Sequence, residues 1–154
     1  MSLKEIKDIF EKAKILFLKD DAVLLTSTVN ERSLTHKFAE KLQSILGNRW
    51  SVDCEYNRYG GDVKTVDVIK AILNEYQVKI EDVNAGTVYP DIIIHKRGFD
   101  GPNLVVIEAK KDATPRKRGL DLEKLKKIKE EYEYSFSVFI NFLTKKQDIS
   151  VEFI

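Results

Sequence analysis

The stretch VYPDIIIHKRGFDGPNLVVIEAK, residues 88–110, decides the architecture of this chain. It holds two apolar runs, Ile92-Ile93-Ile94 and Leu104-Val105-Val106-Ile107, around a polar segment that carries Gly98, Gly101 and Pro102. Two such runs around a Gly- and Pro-containing turn read as the strands of a hairpin. Both are apolar at successive positions rather than at alternate ones. A strand of that kind is covered on both faces, so helices are expected on each side of the sheet. With the turn centred between Phe99 and Asp100, Ile93 faces Val106 and Asp91 faces Glu108. Side chains alternate across a strand, so Asp91, Glu108 and Lys110 then share one face at one end of the hairpin. A slip of one residue would put the two acids on opposite faces.

Upstream of the hairpin, Leu3, Ile6, Phe10, Ala13 and Phe17 recur at helical spacing over 3–18, with Ser2 and Glu5 placed as a capping box. A short apolar stretch, Ala22 to Leu25, follows. A second helix is expected from Glu31, with Asn30 as N-cap, Gly47 as its stop and Leu34, Phe38 and Leu42 as its apolar stripe. Trp50, Val52, Cys54 and Tyr56 alternate with polar neighbours and predict a strand, which Gly60-Gly61 breaks. Residues 65–76 predict a further helix inside an insert spanning 62–86. Downstream, Asp121 is expected to cap a helix running to about Tyr132. Phe136 to Leu143 predicts a strand, and Ile149, Val151 and Phe153 a short terminal one. The result is one α/β domain over 1–154: a mixed sheet flanked by helices, core order αβββαβ, with a helical extension at 1–25.

The totals fit that reading. The chain has 154 residues, 43% apolar and 33% charged, enough for one core. The net charge is only +1, so contact with a polyanion has to come from local clustering of cations. The single cysteine, Cys54, excludes an internal disulfide and suits a reducing, cytoplasmic setting. No signal-peptide pattern stands in the first 20 residues, and no apolar run reaches membrane-spanning length, so no membrane partner is expected.

Two carboxylates side by side on a half-buried sheet repel each other and lose hydration. A divalent cation relieves both costs. Mg²⁺, or Mn²⁺ in its place, takes hard oxygen ligands and is commonly held by one or two carboxylates with water and substrate phosphate. Lys110, two residues beyond Glu108 on the same face, could orient or deprotonate a water or stabilise charge on a phosphate.

Pro90-Asp91, a gap, and Glu108-Ala109-Lys110 resemble the signature of the PD-(D/E)XK nuclease superfamily, on the strand pair where that restriction-endonuclease-like fold carries it. Asn30-Glu31-Arg32-Ser33, residues 52–58, residues 90–98 and Asp121 to Leu125 resemble a small bacterial and phage group within it. Residues 1–25 and 62–86 fall outside the match. The resemblance implies a metal-dependent nuclease acting on DNA ahead of RNA. Asp91, Glu108 and the Ala109 carbonyl would bind Mg²⁺, Lys110 would be catalytic, and Glu31 would assist from the first core helix. Arg58, Arg97, Lys111 and the basic loop Arg116-Lys117-Arg118 are candidate nucleic-acid contacts. One such site cuts one strand, so a homodimer would suit a duplex.

Each feature also has a plainer account. Asp91, Glu108 and Lys110 could form a solvated hairpin end with a surface salt bridge. Glu31 could simply favour the helix dipole. His36 and His95 read as structural or surface residues, with a substrate contact open to His95, which shares the Asp91 face. Cys54 reads as core, the basic loop as solvated, and Lys124 to Lys129 as the wet side of a helix. A catalytically inactive nucleic-acid-binding or interaction module with the same fold is the alternative to an enzyme.

Overall fold

A computed structural model describes residues 1–55, 90–98 and 101–154. The helix expected over 65–76, the insert at 62–86, the start of the hairpin at 88–89 and Arg58 lie outside the described residues.

The described chain runs α1 (Leu3–Asp20), α2 (Glu31–Leu46), β1 (Ser51–Cys54), β2 (Ile92–His95), β3 (Asn103–Lys111), α3 (Pro115–Glu131), β4 (Phe136–Leu143) and β5 (Asp148–Phe153). The five strands form one mixed sheet in the order β1-β2-β3-β4-β5. All neighbours are antiparallel except β3 and β4, which are parallel and joined through α3. Among the described residues no helix is long and apolar enough to cross a membrane.

The caps explain where the first two helices begin and end. The Ser2 hydroxyl accepts from Glu5 N while the Glu5 carboxylate accepts from Ser2 N, the reciprocal box that the sequence predicts for α1. Asn30 accepts from Ser33 N at 2.7 Å, and Gly47 stops α2 with a φ of 60°.

Helices cover both faces of the sheet. Ile92, Ile94, Val105, Ile107, Ala109 and Phe142 are buried under the apolar stripes of α1 and α2. Ile93, Val106 and Phe139 pack on the other face with Leu125, Ile128 and Tyr132 of α3. An aromatic trio fixes α2 over the end of β3. Phe38 lies 6.2 Å from Phe142 and from Phe17, and Phe142 pairs in register with Lys111. Full burial of a Phe side chain contributes roughly 1.5–3 kcal/mol, so the middle of α2 is firmly held over the end of β3.

The hairpin register is the expected one where it matters. Ile92 pairs with Ile107 and Ile93 with Val106. A bulge falls between Ile94 and His95, next to the turn, with Leu104 as the extra residue. The Asp91 end is undisturbed.

Two expectations need correction. The third helix starts at Pro115 with Thr114 as N-cap, not at Asp121, so Arg116-Lys117-Arg118 is its first turn rather than a loop. Thr114 before Pro115 is an ordinary helix-start pair, but the basic run that follows opposes the helix dipole and disguises it. Lys124 is also not on a wet face: the buried positions of α3 are Asp121, Lys124, Leu125 and Ile128. That is a regular helical stripe whose first two places carry charges.

Candidate active site

β3 is longer than β2, so its last residues reach past the partner strand. Residues two apart on a strand present their N–H groups to the same side. The amides of Ala109 and Lys111 therefore both face the edge that β2 leaves uncovered. Carboxylates take both: Asp91 Oδ2 accepts from Ala109 N at 2.7 Å, and Glu31 Oε2 accepts from Lys111 N at 2.8 Å. Asp91 comes from the residue just before β2, and Glu31 from the first turn of α2, which Phe38 and Phe142 hold in place.

Lys110 lies between those two acids. Its ammonium is 3.5 Å from Glu31 Oε1 and 3.9 Å from Asp91 Oδ2. Burial works to lower the Lys110 pKa, but Asp91, Glu108, Asp121 and Glu31 outweigh it and raise it. Lys110 is thus held as a cation.

Glu108 is on the same face and 1% exposed. Its carboxylate turns to α3, where Lys124 Nζ lies 2.7 Å from Oε1 in a close charge pair rather than an aligned hydrogen bond. Burial pushes the Glu108 carboxyl up to about 8, against the opposing pull of Lys124 and with a further upward push from Asp91. Asp121, one helical turn before Lys124, is 8% exposed, and its Oδ2 has no hydrogen-bond partner among the described residues. Burial raises its pKa as well, opposed by Lys110 and Lys124.

The sequence reading missed both α3 residues. A signal was present: Asp121 and Lys124 stand at the stripe positions that continue to Leu125 and Ile128, where a surface helix ordinarily carries apolar side chains.

Among the described residues Glu31, Asp91, Glu108 and Asp121 are set against Lys110 and Lys124, a formal excess of two negative charges. Among the described residues no three acidic, imidazole or thiol groups are assembled into a metal cage. The donor chemistry nevertheless suits a hard divalent cation. The oxygens are carboxylates, the buried Asp121 Oδ2 has no hydrogen-bond partner among the described residues, and the formal charge excess matches one such ion. In a strand a residue's N–H and C=O point the same way, so the Ala109 carbonyl faces the Asp91 edge.

The remaining candidates divide. Lys111 Nζ donates to the carbonyls of Ser27 and Val29 at 3.0 and 2.6 Å, which ties down the loop before α2. Arg116 and Lys117 are exposed on the first turn of α3, while Arg118 grips Glu152. Arg97 and His95 both bind Asp53, whose carboxyl Arg97 and His95 hold below the usual range against the effect of burial. His36 is exposed, and burial pushes the Cys54 thiol up to about 11, so it is inert at neutral pH.

No protein-family model, no curated protein and no solved structure matches this chain.

Proposed function

We propose that the protein is a metal-dependent nuclease with a restriction-endonuclease-like fold, hydrolysing phosphodiester bonds of DNA ahead of RNA. The observation that carries the reading is the grouping at the end of β3. Asp91 sits on the Ala109 amide, Glu108 adjoins it on the same face, and the Lys110 ammonium lies between Asp91 and Glu31. The order α2-β1-β2-β3-α3-β4, with three antiparallel strands followed by a parallel one, supports the fold assignment.

Asp91 and Glu108, with the Ala109 carbonyl, would hold Mg²⁺ or Mn²⁺. That ion would lower the pKa of a bound water and neutralise charge on the scissile phosphate. The chain's own groups do the rest. Lys110, kept charged by its acidic neighbours, binds a phosphate oxygen and stabilises the charge that builds on it. Glu31 fixes the Lys110 ammonium and the end of β3 in one position. Glu108 must give up its proton and its contact with Lys124 before it can act as a ligand. A homodimer would bring two such sites to a duplex.

The pairing of Glu108 with Lys124 favours a second reading, a module that keeps the fold and binds nucleic acid or a protein without cutting. Incubation with circular single-stranded and double-stranded DNA in Mg²⁺, Mn²⁺ or EDTA separates the two. Nicking or degradation that EDTA abolishes and Glu108→Gln removes is expected. Intact circles under all conditions would exclude the enzyme.

A further inference from the structure

At the other end of β2 the chain forms an open depression of about 530 Å³, lined by Asn48, Arg49, Trp50, Ser51, Lys96 and Arg97. We infer that this depression is a subsite for an unpaired nucleotide of a single-stranded nucleic acid. The inference rests on the nuclease reading for what becomes of the strand, and it adds that the preferred strand is single.

Every charged side chain of the lining is a cation: Arg49, Lys96 and Arg97. The whole chain carries a net charge of only +1, so among the described residues a lining with three cations, one of them paired with Asp53, is a local excess of positive charge. That is what a phosphate backbone requires. Arg97 is already braced on Asp53, which orients it without filling the depression with negative charge. Lys96 is anchored through its backbone: its N–H donates to Pro102 O at 3.1 Å. Gly101 passes so close that a Cβ there would sit 1.9 Å from the Lys96 carbonyl oxygen, so only glycine allows this return of the chain.

Trp50 decides the class of ligand. Part of the indole packs against the core between the sheet and α2, and the Lys96 ammonium lies 5.5 Å from its ring centre. An exposed lysine holds such a ring weakly. A base stacked on the indole gains more and releases the ammonium to a neighbouring phosphate. Stacking needs an open base face. In a duplex those faces are covered by the neighbouring pairs, and only the edges are presented in the grooves. Basic groups around a single indole therefore select an unpaired strand. Lys96 is five residues from Asp91 along β2, about 17 Å at the usual rise per strand residue.

Trp50 is the only tryptophan in the chain, so its fluorescence reports on this depression alone. The test titrates the full-length protein in EDTA, where no cleavage occurs, with short oligothymidylate, a duplex of the same length, and inorganic phosphate. Saturable quenching by oligothymidylate is expected, with little change from duplex or phosphate at equal phosphate concentration. In Lys96→Ala and in Arg49→Ala the salt dependence of binding should become shallower by about 0.7 in the log–log slope, the value of one single-strand phosphate contact. Lys126→Ala, an exposed cation on α3, should bind like wild type. No quenching, equal quenching by duplex, or equal quenching by phosphate alone would overturn the inference. Cleavage is scored separately with Mg²⁺. Quenching without cleavage sinks the enzyme and leaves the subsite, and cleavage without quenching does the reverse.

Discussion

Lys124 of α3 closes over Glu108 of β3, with Nζ 2.7 Å from Oε1 and side-chain exposures of only 9% and 1%. The pair joins the helix to the strand that carries the proposed site. It also makes Lys124 a built-in rival for any cation that approaches Glu108.

Asp91 has two separable duties, accepting from Ala109 N and supplying charge. Asp91→Asn keeps an acceptor oxygen and loses the charge. It should melt within a few degrees of wild type and cleave at least roughly 10²-fold more slowly, in line with the loss of a major electrostatic contribution. Asp91→Ala should lose the same activity and also cost about 1–3 kcal/mol of stability, because a part-buried amide is left unpaired. Thermal melts with single-turnover assays on both variants check this. Equal melting of the two would show that the cap contributes nothing.

Lys110 is surrounded by acids that raise its pKa, so it acts as a fixed cation and not as a base. Lys110→Arg should retain most of the activity, whereas Lys110→Ala should lose roughly 10²-fold or more. At saturating Mg²⁺ the pH–rate profile of wild type should show no ionisation that disappears in Lys110→Arg. A limb near neutral pH that vanished in the arginine variant would assign the proton transfer to Lys110 after all.

The hairpin was legible in the sequence because two unbroken apolar runs leave few registers open, and Asp91 and Glu108 followed from that register. The position of Glu31 at the start of α2 was legible from the Asn30 cap and its spacing to Leu34 and Phe38, while its place beside Lys110 was an expectation from the resemblance alone. The α3 half of the site was not. Thr114-Pro115 marks the helix start, but Arg116-Lys117-Arg118 mimics a basic loop, and the start was misplaced by about two turns. Asp121 then passed for a cap and Lys124 for a solvated lysine. Burial of charged stripe positions depends on partners far away in the chain, Glu108 and Lys110, which helical periodicity alone does not reveal. The clustering of Arg49, Trp50, Lys96 and Arg97 was hidden for the same reason, since it forms only when β1 pairs with β2.

The Glu108 carboxyl also predicts a pH dependence of stability. Its folded value, pushed up to about 8, lies above the ordinary 4.5 of the unfolded chain. The folded state therefore binds the proton more tightly. The resulting stabilisation is complete below the unfolded value and is lost as pH rises through the folded one. Between those limits the metal-free protein should lose as much as about 4 kcal/mol through this group. Asp121, also raised by burial, acts in the same direction. Denaturant melts in EDTA at pH 5 and pH 8 should show the loss in wild type and a much smaller one in Glu108→Gln. An equal pH response in the two proteins would remove Glu108 from the account.

Lys124→Met tests the rivalry directly. Methionine fills much the same volume without the charge, so the α3 packing is kept while Glu108 loses its ammonium partner. Two consequences follow, with opposite signs. At pH 6 Glu108 binds its proton more firmly than in wild type, and the neutral pair is tolerated: replacing a buried ion pair by apolar contact is often neutral or stabilising by about 1–4 kcal/mol. At pH 8 the Glu108 of the variant still holds its proton, because the ammonium that lowered its pKa is gone; only well above that pH does the carboxylate ionise without compensation, and the formal excess of negative charge then grows from two to three. The metal-free variant should therefore be as stable as wild type at pH 6 and fall below it only as the pH rises well above 8. In that higher range its Mg²⁺ affinity by calorimetry should rise about tenfold, equal to 1.4 kcal/mol, because no internal cation has to be displaced. In Glu108→Gln combined with Lys124→Met that gain should vanish. Unchanged Mg²⁺ affinity in Lys124→Met would mean that the ion, if it binds, does not use Glu108, and the proposed centre would have to be sought elsewhere among the acids of this face.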